Sequence, residues 1–93
     1  TSGTSGRPKA VRHSDATLLA AAAGYVANLG LGSQPGDIGT INFPIAHVGG
    51  IFYVSCALIG AFSVLLVPKV AEDVVAVLAE NQVTFTGSST AFY

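Results

Sequence analysis

Apolar residues run along this chain in blocks of two alternating kinds. From Ala16 to Leu29 the block is rich in Ala and Leu, strong helix formers. Ser14 stands before it as a good N-cap, Asp15 suits the positive first turn, and Gly30 and Gly32 stop it. Ser33-Gln34-Pro35-Gly36-Asp37 reads as a turn. Ile38 to Phe43 is a short apolar run that ends at Pro44, a strand pattern. A second helix is expected to begin near Val48 or Gly49 and reach about Leu58, with Gly60 as its stop. Val64 to Val67 is the next strand. Ala71 to Asn81 is amphipathic: Val74, Val77 and Leu78 share a face, while Glu72, Asp73 and Glu80 lie elsewhere. Val83-Thr84-Phe85-Thr86 predicts a third strand, and Ser88 or Ser89 is placed to cap a further helix. Residues 1–9, rich in Gly, Ser and Thr, form a loop.

Helices between apolar strands predict βαβ units and a parallel sheet, hence an α/β fold. Such a sheet needs helices on both faces. Three strands, with none ahead of the opening loop, make these partial βαβ layers. No internal repeat, low-complexity linker or domain boundary interrupts them.

Composition sharpens this picture. Of 93 residues, 51% are hydrophobic and only 10% charged, with a net charge of −1. Soluble domains average about a quarter charged. This balance excludes disorder, and the lack of a basic surplus argues against nucleic acid. It leaves a face meant to be covered or a membrane segment. Between Asp37 and Lys69 no residue is charged, and Val48 to Val67 is long enough to cross a bilayer. Gly49, Gly50 and Gly60 interrupt that stretch. Its end, Ser63-Val64-Leu65-Leu66-Val67-Pro68, is β-branched and closes on Pro, and Lys69 stands alone beside it. Helix–turn–strand is the preferred reading, and poor solubility of the piece alone is expected. The lone Cys56 cannot form an internal disulfide and reads as a small buried apolar residue. A single Cys with two His gives no zinc spacing, and a reducing, intracellular compartment is the default. The polar opening is not a signal peptide, and the absence of Met suggests an excised fragment.

The opening loop carries the chemistry. Thr1-Ser2-Gly3-Thr4-Ser5-Gly6-Arg7-Pro8-Lys9 has two glycines three apart, so backbone N–H groups can approach a ligand. Concave N–H arrays bind anions, and hydroxyl donors plus the Lys9 cation, with Arg7 as the candidate second cation, complete a polyphosphate cradle. It is neither a Walker A loop, since Pro8 stands at the second Gly position, nor G-x-G-x-x-G. By composition alone it is an ordinary Ser/Gly linker; the Pro8-Lys9 ending counts against that.

Thr1 to Lys9 resembles the phosphate loop of the AMP-forming adenylating enzymes, which include acyl-CoA synthetases, luciferases and the adenylation domains of peptide synthetases. Their common form is T-S-G-T-T-G-x-P-K-G; Ser5 keeps the hydroxyl of the second Thr, and Ala10 replaces the last Gly. Pro35-Gly36-Asp37, then Phe43-Pro44-Ile45-Ala46-His47-Val48-Gly49-Gly50, is similar to the next block, a Pro-x-x-His-x-x-Gly stretch after a strand. Val83 to Tyr93 is similar to a third, a strand followed by a Gly-x-Pro-Thr turn, with Ser89 in place of Pro. Ser14-Asp15 stands where the family often has Ser/Thr-His. These departures bear on substrate choice, not on the family.

The resemblance implies residues 1–93 as part of the family's large N-terminal domain: a phosphate loop at 1–9, a Pro-x-x-His block at 43–50 and a strand–turn block at 83–93. Such enzymes activate a carboxylic acid with ATP as an acyl-adenylate, releasing pyrophosphate; a thiol, often coenzyme A, then takes the acyl group. Thr1, Ser2, Gly3, Thr4, Ser5, Gly6 and Lys9 would hold the β- and γ-phosphates, with Mg2+ sharing the load. His47 would lie near the carboxylate and acyl pocket as the catalytic candidate; read from its neighbours alone it is a buried His supporting a loop. His13 reads as solvated or capping, Asp37 as a turn residue, Tyr25 and Tyr53 as packing. Phe52-Tyr53 reads first as core packing, second as an acyl-pocket wall. The apolar Ile51–Leu58 segment favours an acyl or aryl acid over an amino acid. The acid, ATP, coenzyme A and the rest of a parent chain follow as partners from the same resemblance, and a cytoplasmic location is expected from the reducing compartment that the cysteine usage implies. The family's Tyr-Gly-x-Thr-Glu and Thr-Gly-Asp blocks, hinge and later catalytic Lys do not occur in this sequence, and Lys69 lacks that motif. The competing classes are a small membrane-associated or structural protein whose opening is only a linker, and a noncatalytic module that retains a phosphate loop.

Overall fold

In the computed structural model, residues 6–67 and 73–87 are described. Helix α1 spans Asp15–Leu29, strand β1 Ile38–Ile41, helix α2 Val48–Gly60, strand β2 Ser63–Leu66 and helix α3 Val74–Glu80. The two strands pair in parallel, Ile38 opposite Ser63 through Ile41 opposite Leu66, with α2 as the crossover. This is the expected partial α/β arrangement.

Local chemistry accounts for the helix ends. The Ser14 hydroxyl accepts from the Thr17 N–H at 3.2 Å, and Thr17 Oγ1 accepts from the Ser14 N–H at 3.0 Å. Thr17 thus plays the part more often taken by Glu or Gln in a capping box. Gly30 closes α1 in the left-handed region, φ 65°. Ser14→Ala removes one side of this box and is expected to cost about 1 kcal/mol. A chemical-denaturation midpoint unchanged in that variant would show the cap contributes nothing.

Helix α2 begins at Val48 as expected but runs past Leu58 to Gly60, and Ala61 rather than Gly60 takes the left-handed cap, φ 53°. Its 13 residues fall short of a bilayer; among the described residues no helix is long and apolar enough to cross a membrane. Helix α3 starts later than Ala71: the Asp73 carboxylate caps it, accepting from the Ala76 N–H at 3.0 Å. Ala71, Glu72, Lys69 and the serines 88 and 89 lie outside the described residues.

The third strand departs from expectation. Residues 83–87 run along the free side of β1 without a regular ladder. The Thr84 N–H donates to the Ile38 carbonyl at 2.9 Å, but the Ile38 N–H donates to the Thr84 hydroxyl at 3.0 Å. A side-chain oxygen has taken the place of the ladder carbonyl, which breaks the pattern there.

The core is small and centred on β1. Gly39, Thr40 and Ile41 are buried, as are Ala22 of α1 and Cys56 of α2, whose thiol pKa burial pushes up. This suits Cys56 as an inert packing residue. Helices α1 and α2 meet through Tyr25, edge-on to Phe52 at 5.2 Å and to Tyr53 at 6.3 Å. Tyr25, Phe52 and Tyr53 are therefore packing residues. Large apolar side chains stay on the surface, among them Leu19 and Leu58 on the helices and Val64 and Leu66 on β2.

Candidate functional site

Open parallel sheets bind ligands beyond the carboxyl ends of their strands. Chain leaving β1 enters that region at once. Asn42 and Phe43 lead into a tight turn in which the His47 N–H donates to the Pro44 carbonyl at 2.9 Å. This turn aims the next residues into α2. A shallow apolar hollow of about 310 Å³ lies beside it, lined by Ile41, Phe43, Pro44, Ile45, Leu66 and Val67. A second hollow, of about 370 Å³, is lined by residues 32–37 and 61–63, at the amino ends of the strands.

His47 is the N-cap of α2. Its backbone is extended (φ −82°, ψ 147°), and its Nδ1 accepts from the Gly49 N–H at 2.9 Å. A nitrogen that accepts carries no proton, so in the neutral ring that bond assigns the proton to Nε2. The ring is exposed and lies flat on Phe43, centroids 5.1 Å apart and planes 7° from parallel. The alternative of a buried loop-supporting His is corrected: the ring supports the turn, but from the surface. His13 is also exposed, and Ser14 beside it does the capping. Asp37 holds its turn, accepting from the Gln34 N–H at 3.2 Å and from the Thr84 hydroxyl at 3.1 Å.

Of the loop residues, Thr1, Ser2, Gly3, Thr4 and Ser5 lie outside the described residues. Gly6, Arg7, Pro8 and Lys9 are exposed ahead of α1. Gly6 sits at φ 143°, a conformation that L side chains rarely adopt, so the position requires glycine for its backbone rather than for space.

Sequence reading passed over a polar set between β1 and residues 83–87. The Thr40 and Thr86 hydroxyls lie 2.6 Å apart. The Asn42 amide donates to Thr86 Oγ1 and to the Gly87 carbonyl, both at 3.2 Å. Asn42 is only 8% exposed, and its Oδ1 has no hydrogen-bond partner among the described residues. Thr at alternate positions 84 and 86, opposite Thr40, was the available signal. Among the described residues no group of three or more His, Cys, Asp or Glu side chains is placed to hold a metal ion.

Comparison with known proteins adds the family. No curated protein and no solved structure gives a significant match. The family model of the AMP-binding enzymes, however, matches residues 1–93. With that match over the whole sequence, the chain belongs to the AMP-binding enzyme family, the adenylate-forming enzymes.

Proposed function

We propose that these residues form part of the large N-terminal domain of an ATP-dependent acid–thiol ligase, in which residues 1–9 hold the nucleotide's phosphates and His47 meets the acid. The placement of His47 carries the reading. Its Nδ1 is occupied by the helix cap, so its remaining polar atom, Nε2–H, is a donor at the carboxyl end of the sheet, suited to a carboxylate or an acyl phosphate oxygen.

In the proposed reaction a carboxylate oxygen attacks the α-phosphorus of ATP and the bond to the β-phosphate oxygen breaks. The acyl-adenylate forms and pyrophosphate leaves with the bond's electron pair. Hydroxyls of Thr1, Ser2, Thr4 and Ser5, backbone N–H groups around Gly3 and Gly6, and the Lys9 ammonium stabilise the charge that builds on the leaving group. Among the described residues no group of three or more His, Cys, Asp or Glu side chains is placed to hold a resident magnesium ion. Mg2+ would come with the nucleotide's own phosphates and help neutralise their charge. In the second half-reaction a thiol sulfur, proposed to be that of coenzyme A, bonds to the acyl carbon as its proton is lost to solvent, and the carbon–oxygen bond to the phosphate breaks so that AMP leaves. The hollow beside the Pro44–His47 turn and the apolar α2 segment favour an acyl or aryl acid. The surface apolar residues of β2, α1 and α2 are the faces that the rest of the domain covers, and the enzyme is read as cytoplasmic.

Acid-dependent exchange of labelled pyrophosphate into ATP, run on the intact enzyme over fatty, aryl and amino acids, tests this. Exchange with a fatty or aryl acid, followed by acyl-CoA formation when coenzyme A is added, is expected. No exchange with any acid would overturn the proposal. The 93 residues alone are expected to show none, because the adenine, ribose and catalytic Lys motifs are not among them.

A further inference from the structure

We propose that Phe43 is the positioning residue for His47, held from behind by Tyr53 and Gly87; this rests on the reading of His47 as the group that meets the acid. The helix-cap bond fixes only one atom of the imidazole, Nδ1. An exposed ring held at one atom still swings, and Nε2 swings furthest. The face of Phe43, parallel to within 7°, supplies the second restraint and sets the plane in which Nε2–H points.

Phe43 is itself backed. Its other neighbour is Tyr53 of α2, stacked at 6.1 Å with planes 11° apart. The Tyr53 hydroxyl occupies the space that a side chain on Gly87 would need. On the helix side, a Cβ on Gly49 would lie 2.8 Å from the Phe43 ring and 3.1 Å from His47 Nδ1, so the rings already fill the available room. The result is a row of rings closed at Gly87 and ending in solvent at His47. It joins two segments 40 residues apart in the chain, at Gly87 and His47. Phe43, Tyr53 and Gly87 are half-buried, and each member of the row touches the next, so a displacement at one end passes along it by direct contact. A group added at Gly87 therefore moves His47 without touching it.

The test uses the intact enzyme with Phe43→Leu, which keeps apolar bulk but loses the flat face, and Phe43→Tyr, which keeps it. Two quantities are read: KM for the acid and for ATP in pyrophosphate exchange, and the NMR shifts of the His47 ring protons, assigned with His47→Gln. Phe43→Leu is expected to raise the acid KM about tenfold, the scale of one aromatic pair, leave the ATP KM unchanged, and move the His47 protons downfield as the ring current is lost. Phe43→Tyr restores both. Gly87→Ala, acting from the far end of the row, shifts the same protons and supplies the answer if Phe43→Leu does not fold. His47 shifts unmoved in both variants would overturn the stack. Shifts that move while the acid KM stays constant would overturn the positioning role and trace the fault to the reading of His47. Equal losses for acid, ATP and the Tyr variant would reduce Phe43 to ordinary packing.

Discussion

Lys9→Ala in the intact enzyme is expected to slow acid-dependent pyrophosphate exchange by about 100-fold, the usual cost of removing one preorganised group that stabilises developing charge. The loss should fall mainly on turnover, because the charge on the leaving pyrophosphate is greatest after the α–β bond has begun to break. In the proposed site Lys9 is the phosphate-binding cation beside neutral hydroxyl and N–H donors, and Arg7 is the second cation of the same loop. Lys9→Arg keeps the charge but replaces a compact ammonium with a planar fork, so partial recovery is expected. The KM for the acid should not change in either variant, since His47 and its stack are untouched. Wild-type exchange kinetics in Lys9→Ala would remove Lys9 from the site and leave the loop as a linker.

The largest expected effect on stability is at Gly50, in the first turn of α2. A Cβ there runs into the Pro44 carbonyl oxygen and comes within 2.8 Å of its carbon and 2.9 Å of Ile45 Cα. All three obstacles are backbone, so no side-chain rotation relieves them. The turn that carries His47 would have to move away from the helix. Gly50→Ala is expected to cost on the order of 3 kcal/mol, the upper part of the overpacking range, and to weaken acid binding with it. Gly24 is the control. It is exposed in the middle of α1, and a Cβ there meets nothing within 4 Å. Gly24→Ala should therefore stabilise the protein by about 0.5–1 kcal/mol through helix propensity alone. Denaturant midpoints shifting in the same direction for the two variants would contradict this account of α2.

The order of elements was legible because it depends on neighbours a few residues apart. Ala and Leu from 16 to 29, Ser14 ahead of them and Gly30 after them specify α1 to within one residue of its observed start. The turn at 33–37 and the apolar runs that begin at Ile38 and Val64 place the strands, and the ends shift by a residue or two where pairing rather than propensity sets them. Phe43, expected at the end of the first strand, instead leaves the sheet to enter the Pro44 turn. Its ring there lies against His47.

The candidate site was legible in its residues and not in its geometry. The Thr1–Lys9 pattern and the Pro-x-x-His block pointed to the family, and the match over residues 1–93 bears that out. Nothing local announced that His47 would cap a helix with one ring nitrogen, expose the other and lie on Phe43. That arrangement needs Tyr53 one and a half turns along α2 and the chain at 87 behind it.

The sequence by itself determined the class of fold, the two ends of α1 and the family, because capping, propensity and a contiguous loop motif are written in adjacent residues. Only the tertiary structure decided how residues 83–87 lie against β1, where the Thr84 hydroxyl displaces a ladder bond, and how Thr40, Asn42 and Thr86 meet. Those contacts join positions some 44 to 46 apart. Their partners are chosen by packing, and no periodicity in the chain encodes them.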